Sequence, residues 1–287
     1  MEQRDIKIMG IINLTDNSFW QGSRMLGRDG AADPGAVSER AAEMIAAGAS
    51  ILDLGACSTR PGSEPVGAEE EWRRLEKPVR RLREDFPDVP ISVDTYWASV
   101  ISHVADAIGA PVIINDISAG EADSGMLPLA GKLGFPYIAM HMRGTPATMQ
   151  TLTDYESDPS EPGLSPVTAA VLRYFRAFSG RAEENGIRDW ILDPGFGFAK
   201  TMEQNWQLLG EMSALKELGK PILAGLSRKS MITKALSIDT ADALTPTQVA
   251  NFAALERGAD ILRVHDVAEA AQTVRIYRLM DQSSGSR

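Results

Sequence analysis

One sequence pattern recurs along this chain and restricts its fold more than any other feature. It consists of a glycine that ends a helical stretch, a short apolar run, and then a polar residue. Glycine is the residue expected just past the end of a helix. Each apolar run is too short to be a helix and has the composition of a buried strand. The sequence therefore predicts eight strands, at residues 6–13, 51–54, 90–94, 112–115, 137–141, 190–193, 222–225 and 261–265.

The segments between these runs have helical composition, for example residues 35–47 and 167–185. Strands that alternate with helices indicate an α/β fold with a parallel sheet covered by helices. Eight such units in 287 residues favour a closed (β/α)8 TIM barrel. A doubly wound open sheet is the alternative, and length alone would also permit two smaller domains. We expect one barrel domain over residues 1–281 and a disordered tail over residues 282–287.

Two predicted connections, residues 14–32 and 55–68, are longer than is usual in such folds. Both contain glycine, and neither has a continuous helical or strand period. Long loops of this kind that follow strands often carry function. We expect them to be mobile covers of an active site.

Charge and composition restrict the possible partners. The formal net charge is -10, which argues against nucleic acid as a partner, because sequence-independent binding needs basic patches. No apolar stretch approaches the roughly 18 residues of a membrane span. The N-terminus lacks the layout of a signal peptide, and the single cysteine, Cys57, excludes an intramolecular disulfide. We therefore expect a cytoplasmic protein with small-molecule partners.

Polar residues gather where the predicted strands end, which is where the reactive groups of a (β/α)8 barrel lie. Such groups are costly to bury without partners, so their number at one rim predicts a ligand that pairs with them. The candidates are Asn13, Asp53, Asp94, Asn115, His141, Asp193, Arg228, Lys229, Arg263 and His265.

Several of these residues also have a plain structural interpretation. An aspartate at the end of a strand is more often a cap for the next helix, and Asp53 fits that description best. His141 taken alone suggests a structural histidine, and Arg228 could simply be solvated. Arg263 and His265 are two residues apart on a strand, so they share a side, which favours anion binding. The sequence contains no P-loop, zinc-ligand spacing or nucleophile elbow.

Seven segments, in order from residue 9 to residue 267, resemble the signatures of the dihydropteroate synthases. They are MGIINLT with SF at 9–19, GASILDLG with STRPG at 48–62, ISVDTY at 91–96, ND at 115–116, DPGFGF at 193–198, SRKS at 227–230 and RVHDV at 263–267. The resemblance implies a transferase of folate biosynthesis that is a sulfonamide target. Its reaction joins 6-hydroxymethyl-7,8-dihydropterin diphosphate to 4-aminobenzoate, giving 7,8-dihydropteroate and diphosphate. It also implies Mg²⁺ as cofactor and a homodimer.

The same resemblance implies roles for individual residues. Pterin contacts would come from Asp94, Asn115, Asp193 and Lys229. Diphosphate contacts would come from Asn13, Thr59, Arg60, Arg263 and His265, with Asn13 near Mg²⁺. The 4-aminobenzoate would meet Pro61, Phe198 and Ser230. The catalytic residues, which would stabilise a cationic pterin and its leaving group without a covalent nucleophile, would be Asp94, Asp193, Lys229, Arg263 and His265.

The chain departs from the family pattern in its two long loops. Asn17 and Gln21 stand where the family commonly has aspartates, next to Asp16, and Cys57 stands where it has a glutamate. These changes put the loop chemistry in question, though not the core site.

Two rival functions remain open. One is a pterin-binding methyltransferase that serves a corrinoid protein. Residues 58–62 and 227–230 argue against it, and 287 residues leave no room for a corrinoid domain. The other is a catalytically silent pterin-binding paralogue, which a turnover assay would separate from an enzyme.

Overall fold

The computed structural model describes residues 4–14, 32–57 and 66–284. Within these residues, eight parallel strands form one sheet in the order β6-β5-β4-β3-β2-β1-β8-β7, and a bridge between Leu192 and Ile222 joins its two edges. The sheet therefore closes into a barrel that follows chain order, which confirms the (β/α)8 prediction and excludes the open sheet. The strands are β1 Lys7–Asn13, β2 Ile51–Gly55, β3 Ile91–Asp94, β4 Ile113–Asp116, β5 Tyr137–Met140, β6 Trp190–Asp193, β7 Leu223–Ala224 and β8 Ile261–Val264.

Helices surround this barrel, and the residues at their ends explain where they stop and start. Asp33 caps the first helix by accepting a hydrogen bond from the backbone N–H of Gly35 at 2.8 Å. Gly109 and Gly134 end the third and fourth helices in the left-handed conformation, as the recurring glycine pattern predicts. The helices are α1 Pro34–Ala46, α2 Ala68–Asp85, α3 Ala98–Ile108, α4 Met126–Leu133, α5 Pro166–Glu184, α6 Met202–Glu211, α7 Ser230–Leu236, α8 Leu244–Glu256 and α9 Val267–Ser284.

The chain's C-terminal end differs from the sequence expectation. Helix α9 continues to Ser284, so residues 282–284 extend a helix where a disordered tail was predicted, and residues 285–287 lie outside the described residues. Most of the two long connections, residues 15–31 and 58–65, also lies outside them. No helix in the described part of the chain combines the length and the apolar character that a membrane span would need.

Alternation along the strands separates an apolar floor of the barrel from a polar rim. The floor is a layer of seven buried side chains: Met9, Ile51, Ile113, Ile138, Ile191, Leu223 and Ile261. Because side chains alternate across a strand, the residue two positions later points the same way, closer to the strand's C-terminal end. The positions two residues beyond five of these floor residues are Ile11, Asp53, Asn115, Asp193 and Arg263. The strand pattern itself therefore directs polar groups into the upper end of the barrel.

Candidate active site

The predicted site residues of the first four strands form a row across the sheet. Asn13 is the register partner of Gly55, Gly55 of Asp94, and Asp94 of Asn115. Neighbouring strands lie about 4.8 Å apart, so register partners stand side by side at one height. Asp193 ends β6 opposite Met140. The structure thus places Asn13, Asp94, Asn115 and Asp193 at the C-terminal rim, as predicted.

Arg263 is at the centre of this rim, bound to two carboxylates. Its Nε donates to Asp53 Oδ2 at 2.7 Å, and its Nη2 donates to Asp94 Oδ2 at 2.7 Å. Asp53 is fully buried and also accepts from the Ser92 hydroxyl at 2.6 Å and from the Asn115 amide at 3.2 Å. The interpretation of Asp53 as a helix cap is therefore wrong. Its side chain points into the barrel because it lies two residues beyond the floor residue Ile51.

Arg263 keeps its positive charge inside this cluster. Burial lowers the pKa of Arg263, but the ion pairs with Asp53 and Asp94 outweigh it and raise the pKa overall. Burial raises the pKa of Asp94, Arg263 opposes that shift, and Asp53 adds to it. Arg263 Nη1 makes no hydrogen bond to any residue that the structure describes. The guanidinium therefore orients Asp94, while its Nη1 bonds to none of the described residues.

Asp193 and Lys229 form the other side of the rim. Asp193 Oδ1 accepts from the backbone N–H of Gly195 at 2.8 Å, and Lys229 donates to the Phe196 carbonyl. Burial raises the pKa of Asp193, and Lys229 opposes the shift. Burial lowers the pKa of Lys229 to about 8, with Asp193 opposing. A carboxylate and an ammonium thus face the same space from β6 and from the loop after β7.

The loops after β7 and β8 are joined by an enclosed ion pair. Arg228 has φ of 53°, and its Nε and Nη2 donate to the two oxygens of Asp266 at 2.9 Å each. The side chain of Arg228 is only 8% exposed, which excludes the alternative that it is simply solvated. This bidentate pair fixes the backbone from which Lys229 projects.

His265 is oriented by a serine of the neighbouring loop. The Ser227 hydroxyl accepts from the backbone N–H of His265 at 3.2 Å and lies 3.0 Å from its Nδ1. A hydroxyl has one proton to donate, which here can go to Nδ1 and leave the ring proton on Nε2. Ser227 therefore holds the His265 ring in place directly after β8.

The remaining predicted residues differ in their surroundings. His141 is buried, its Nδ1 accepts from Lys200 at 3.0 Å, and its ring packs edge-on against Tyr174, so the structural interpretation is confirmed. Phe198 is half-buried against a cluster of methionines, and Ser230 is the exposed first residue of α7. Three predicted contacts, Thr59, Arg60 and Pro61, lie outside the described residues, as do Asp16, Asn17 and Gln21.

Two buried ionisable residues near the rim were missed from the sequence. Glu71 of α2 is fully buried, neither of its oxygens has a hydrogen-bond partner in the described part of the chain, and burial raises its pKa to about 7. The run Glu69 to Glu71 resembles an ordinary acidic first turn of a helix, so nothing distinguished its third member. Lys200 follows the DPGFGF segment and is also buried. Its only sequence signal was a lysine beside an apolar run.

The rim can bind a flat heterocycle that has donors on one edge and acceptors on another. Carboxylates and a carboxamide accept hydrogen bonds from ring N–H groups, and an ammonium donates to a ring oxygen or nitrogen. Carboxylates held in a water-poor site also stabilise a positive charge that develops on the ligand. Within the described residues, no group of three or more His, Cys, Asp or Glu side chains could hold a metal ion by itself.

Comparisons with known proteins agree with this geometry. A family model described as pterin binding enzyme matches residues 9–265. The chain is 39% identical over 272 residues to a dihydropteroate synthase of Synechocystis, with 94% of this chain and 88% of the relative covered. It is similar to the crystal structure of Yersinia pestis dihydropteroate synthase with a sulfonamide drug (TM-score 0.85, 35% identity, 97% and 95% coverage). It is also similar to Xanthomonas albilineans dihydropteroate synthase with 4-aminobenzoic acid (TM-score 0.82, 34% identity, 96% and 93% coverage).

Proposed function

This chain belongs to the family of pterin binding enzymes, and from that premise we infer that it condenses 6-hydroxymethyl-7,8-dihydropterin diphosphate with 4-aminobenzoate, as dihydropteroate synthases do. The products are 7,8-dihydropteroate and diphosphate, so the enzyme is a transferase of folate synthesis. The observation that carries this function is the convergence of Asp94, Asn115, Asp193 and Lys229 on one rim, around the guanidinium of Arg263.

We propose that three of these side chains accept hydrogen bonds from the pterin. Asp94, Asn115 and Asp193 would face the ring N–H groups, and Lys229 would donate to an acceptor on the ring. When the bond between the pterin methylene carbon and the diphosphate oxygen breaks, its electrons leave with the oxygen and positive charge spreads over the pterin. Asp94 and Asp193 would stabilise that charge. The amine nitrogen of 4-aminobenzoate then bonds to the carbon and releases a proton.

The leaving diphosphate would be held by Asn13, Arg263 and His265, together with Thr59 and Arg60 of the second long loop. Support comes from the donor that Arg263 retains at Nη1 and from the orientation of His265 by Ser227. Charge-assisted hydrogen bonds of this kind suit phosphate oxygens. The 4-aminobenzoate would lie beside Phe198, with Pro61 and Ser230 as further contacts.

The donor set at the rim fits Mg²⁺ bound together with diphosphate. Mg²⁺ usually takes one or two protein oxygens and completes its shell with phosphate oxygens and water. Asn13 Oδ1 and Asp94 Oδ2 lie on the same side of Gly55, at 3.8 Å and 3.6 Å from the position that a Cβ there would occupy. Asn13 would hold the ion, with Asp94 as its neighbour. The ion would neutralise charge on the leaving group.

A coupled assay for diphosphate release tests the proposed reaction. Purified protein should release diphosphate only when the pterin diphosphate, 4-aminobenzoate and Mg²⁺ are all present, and 7,8-dihydropteroate should form in equal amount. Binding of the pterin without release of diphosphate would indicate the silent paralogue. Methyl transfer to a corrinoid protein would indicate the methyltransferase.

The basic limb of the pH profile should report Lys229. Burial lowers the pKa of this lysine to about 8, and only the protonated form is a full hydrogen-bond donor with a positive charge. We expect kcat/KM to fall as pH rises through about 8. Lys229→Arg should move the fall to higher pH, because a guanidinium does not deprotonate in this range. An unchanged basic limb in the variant would assign the limb to another group.

We propose that the chain forms a homodimer through α8 and α9. Val249, Ile276 and Leu279 are 67%, 55% and 60% exposed on these helices. Apolar side chains gathered on neighbouring helices are a common mark of an interface. Ile276→Glu should shift sedimentation from dimer to monomer, whereas Lys132→Glu on α4, across the ring of helices, should not. A parent protein that sediments as a monomer would refute the dimer.

We also propose the cytoplasm as the protein's location. Cys57 is the only cysteine, so the chain cannot form an intramolecular disulfide. That composition suits a reducing compartment.

A further inference from the structure

Lys200 is a buried lysine whose ammonium is fully used by the protein. Its residue is 3% exposed, and Nζ donates to the Gly195 carbonyl at 2.9 Å, the Phe198 carbonyl at 3.0 Å and His141 Nδ1 at 3.0 Å. An ammonium has three N–H donors, so three acceptors at these distances satisfy it completely. Lys200 therefore has no donor left for a substrate.

These contacts fix the loop that follows β6. Lys200 holds the carbonyls at the two ends of the stretch from Gly195 to Phe198. Asn205 accepts from the backbone N–H of Gly197 at 2.6 Å, and the Tyr155 hydroxyl donates to the Ala199 carbonyl at 2.8 Å. Backbone groups along the loop are thus tied to several side chains, and among these three ties only the one from Lys200 can carry a charge.

The loop carries two groups that face the rim. The Phe196 carbonyl accepts from Lys229, and the Phe198 ring centroid lies 4.8 Å from Lys229 Nζ. A shift of the loop would move the Phe198 ring and would remove the acceptor of Lys229. The pterin acceptors Asp94 and Asn115 lie on β3 and β4, outside this loop, and would keep their places, whereas Asp193 is tied to the loop through the Gly195 N–H.

We propose that Lys200 is a positioning residue for the second substrate: by holding the Gly195 and Phe198 carbonyls, it sets the Phe198 ring against which 4-aminobenzoate packs. This inference rests on the proposed function, since Phe198 borders 4-aminobenzoate there. A buried charge is a costly way to hold a fold together. Burial lowers the pKa of Lys200 to about 7, with Asp193 opposing. An apolar side chain of similar length could fill the space at less cost, which is consistent with a role beyond filling it.

Two substitutions test this role by separating the two Michaelis constants. Lys200→Met removes the donors and keeps the length, and Lys200→Gln keeps two donors without the charge. We expect Lys200→Met to raise KM for 4-aminobenzoate about tenfold, which corresponds to about 1.4 kcal/mol. KM for the pterin diphosphate should rise less than KM for 4-aminobenzoate, because Asp94 and Asn115 keep their places while only Asp193 and Lys229 are tied to the loop. Lys200→Gln should be intermediate. Lys220→Met is the control, because Lys220 lies outside the loop, where it contacts the Arg188 carbonyl and the Trp190 ring.

A double-mutant cycle identifies the residue through which Lys200 acts. In a Phe198→Ala background, Lys200→Met should raise KM for 4-aminobenzoate no further, because the ring it positions is gone. Equal rises in both Michaelis constants, additive effects in the cycle, or failure of both Lys200 variants to fold would assign Lys200 to the general stability of the barrel and overturn the proposal. Turnover by the parent protein tests the proposed reaction. A failure of the proposed function would therefore be distinguished from a failure of the role proposed for Lys200.

Discussion

Replacing Arg263 with methionine is expected to lower kcat/KM roughly a thousandfold, about 4 kcal/mol of transition-state free energy, and to destabilise the fold. Two losses combine in the variant. The leaving diphosphate loses a charged donor, worth about 1.5–3 kcal/mol. Asp94, which Arg263 holds at 2.7 Å, loses the partner that orients it toward the pterin. Steady-state kinetics and thermal unfolding measure the two effects.

Arg263→Met should also lower the free energy of unfolding, because the substitution leaves the buried carboxylates of Asp53 and Asp94 without their cation. Breaking a buried ion pair by removing one partner costs about 3–5 kcal/mol. Arg4→Met is the matched control: Arg4 binds Asp260 at 3.1 Å and the Ala259 carbonyl at the N-terminal end of the barrel. We expect that variant to lose stability and to keep the parent kcat/KM. If Arg263→Met kept kcat/KM within tenfold of the parent value, Arg263 would not belong to the active site.

The fold was predictable because its signals are local. Six of the eight strands follow a glycine that ends a helical stretch, and Gly109 and Gly134 do adopt the left-handed conformation which that role requires. The row of Asn13, Asp94 and Asn115 was predictable for the same reason. Parallel strands of one barrel bring their C-terminal ends to one rim, so a polar residue at each end suffices to place them together.

The contact between Asp53 and Arg263 could not be predicted from such local signals. Arg263 is 210 residues away from Asp53, and a strand-end aspartate has the same local sequence whether it caps a helix or binds an arginine across the barrel. Only the closure of the sheet brings β8 beside β1 and lets the guanidinium reach β2 and β3. The reach of a long side chain across a closed barrel is a tertiary property that no local pattern contains.

Arg228 and Lys200 were not predictable for a related reason. Both cations are satisfied partly by backbone carbonyls, Thr240 for Arg228 and Gly195 for Lys200. A carbonyl gives no sequence signal, because every residue has one. Which carbonyls converge on one point depends on the path of the loops after β6 and β7, and that path includes positive φ values at Ala199 and Arg228.

The substitution Asp193→Asn should separate catalysis from stability. The amide oxygen of the variant can still accept from the Gly195 N–H, as Asp193 Oδ1 does at 2.8 Å, so the loop should keep its place. The other carboxylate oxygen becomes an NH2 group, which would face the ring N–H groups of the pterin donor to donor. We expect the Kd for the pterin diphosphate to rise about a hundredfold, roughly 2.7 kcal/mol, and kcat to fall as well. Calorimetry and steady-state kinetics measure the two.

The stability of Asp193→Asn should stay close to that of the parent or exceed it, although activity falls. Burial raises the pKa of Asp193, so the fold disfavours its charged form relative to the unfolded chain. At neutral pH, where the unfolded carboxyl is ionised, the neutral asparagine avoids that cost. The melting temperature of Asp193→Asn should therefore equal or exceed that of the parent while activity is lost. Such a trade is expected where a buried charge serves the reaction and not the fold.

Asp116→Asn is the matched control, and it should show the reverse pattern. Asp116 is also buried, and burial raises its pKa too, but its oxygens accept from Ser118, Gly120 and the Tyr137 hydroxyl, at 2.6 to 2.8 Å. An amide cannot accept on both sides, so at least one of these donors would lose its partner at a cost of about 1–3 kcal/mol. We expect a lower melting temperature with a pterin Kd close to that of the parent. If Asp193→Asn lowered stability and spared pterin binding, Asp193 would belong with Asp116 among the structural carboxylates, and the pterin would have to bind elsewhere on the rim.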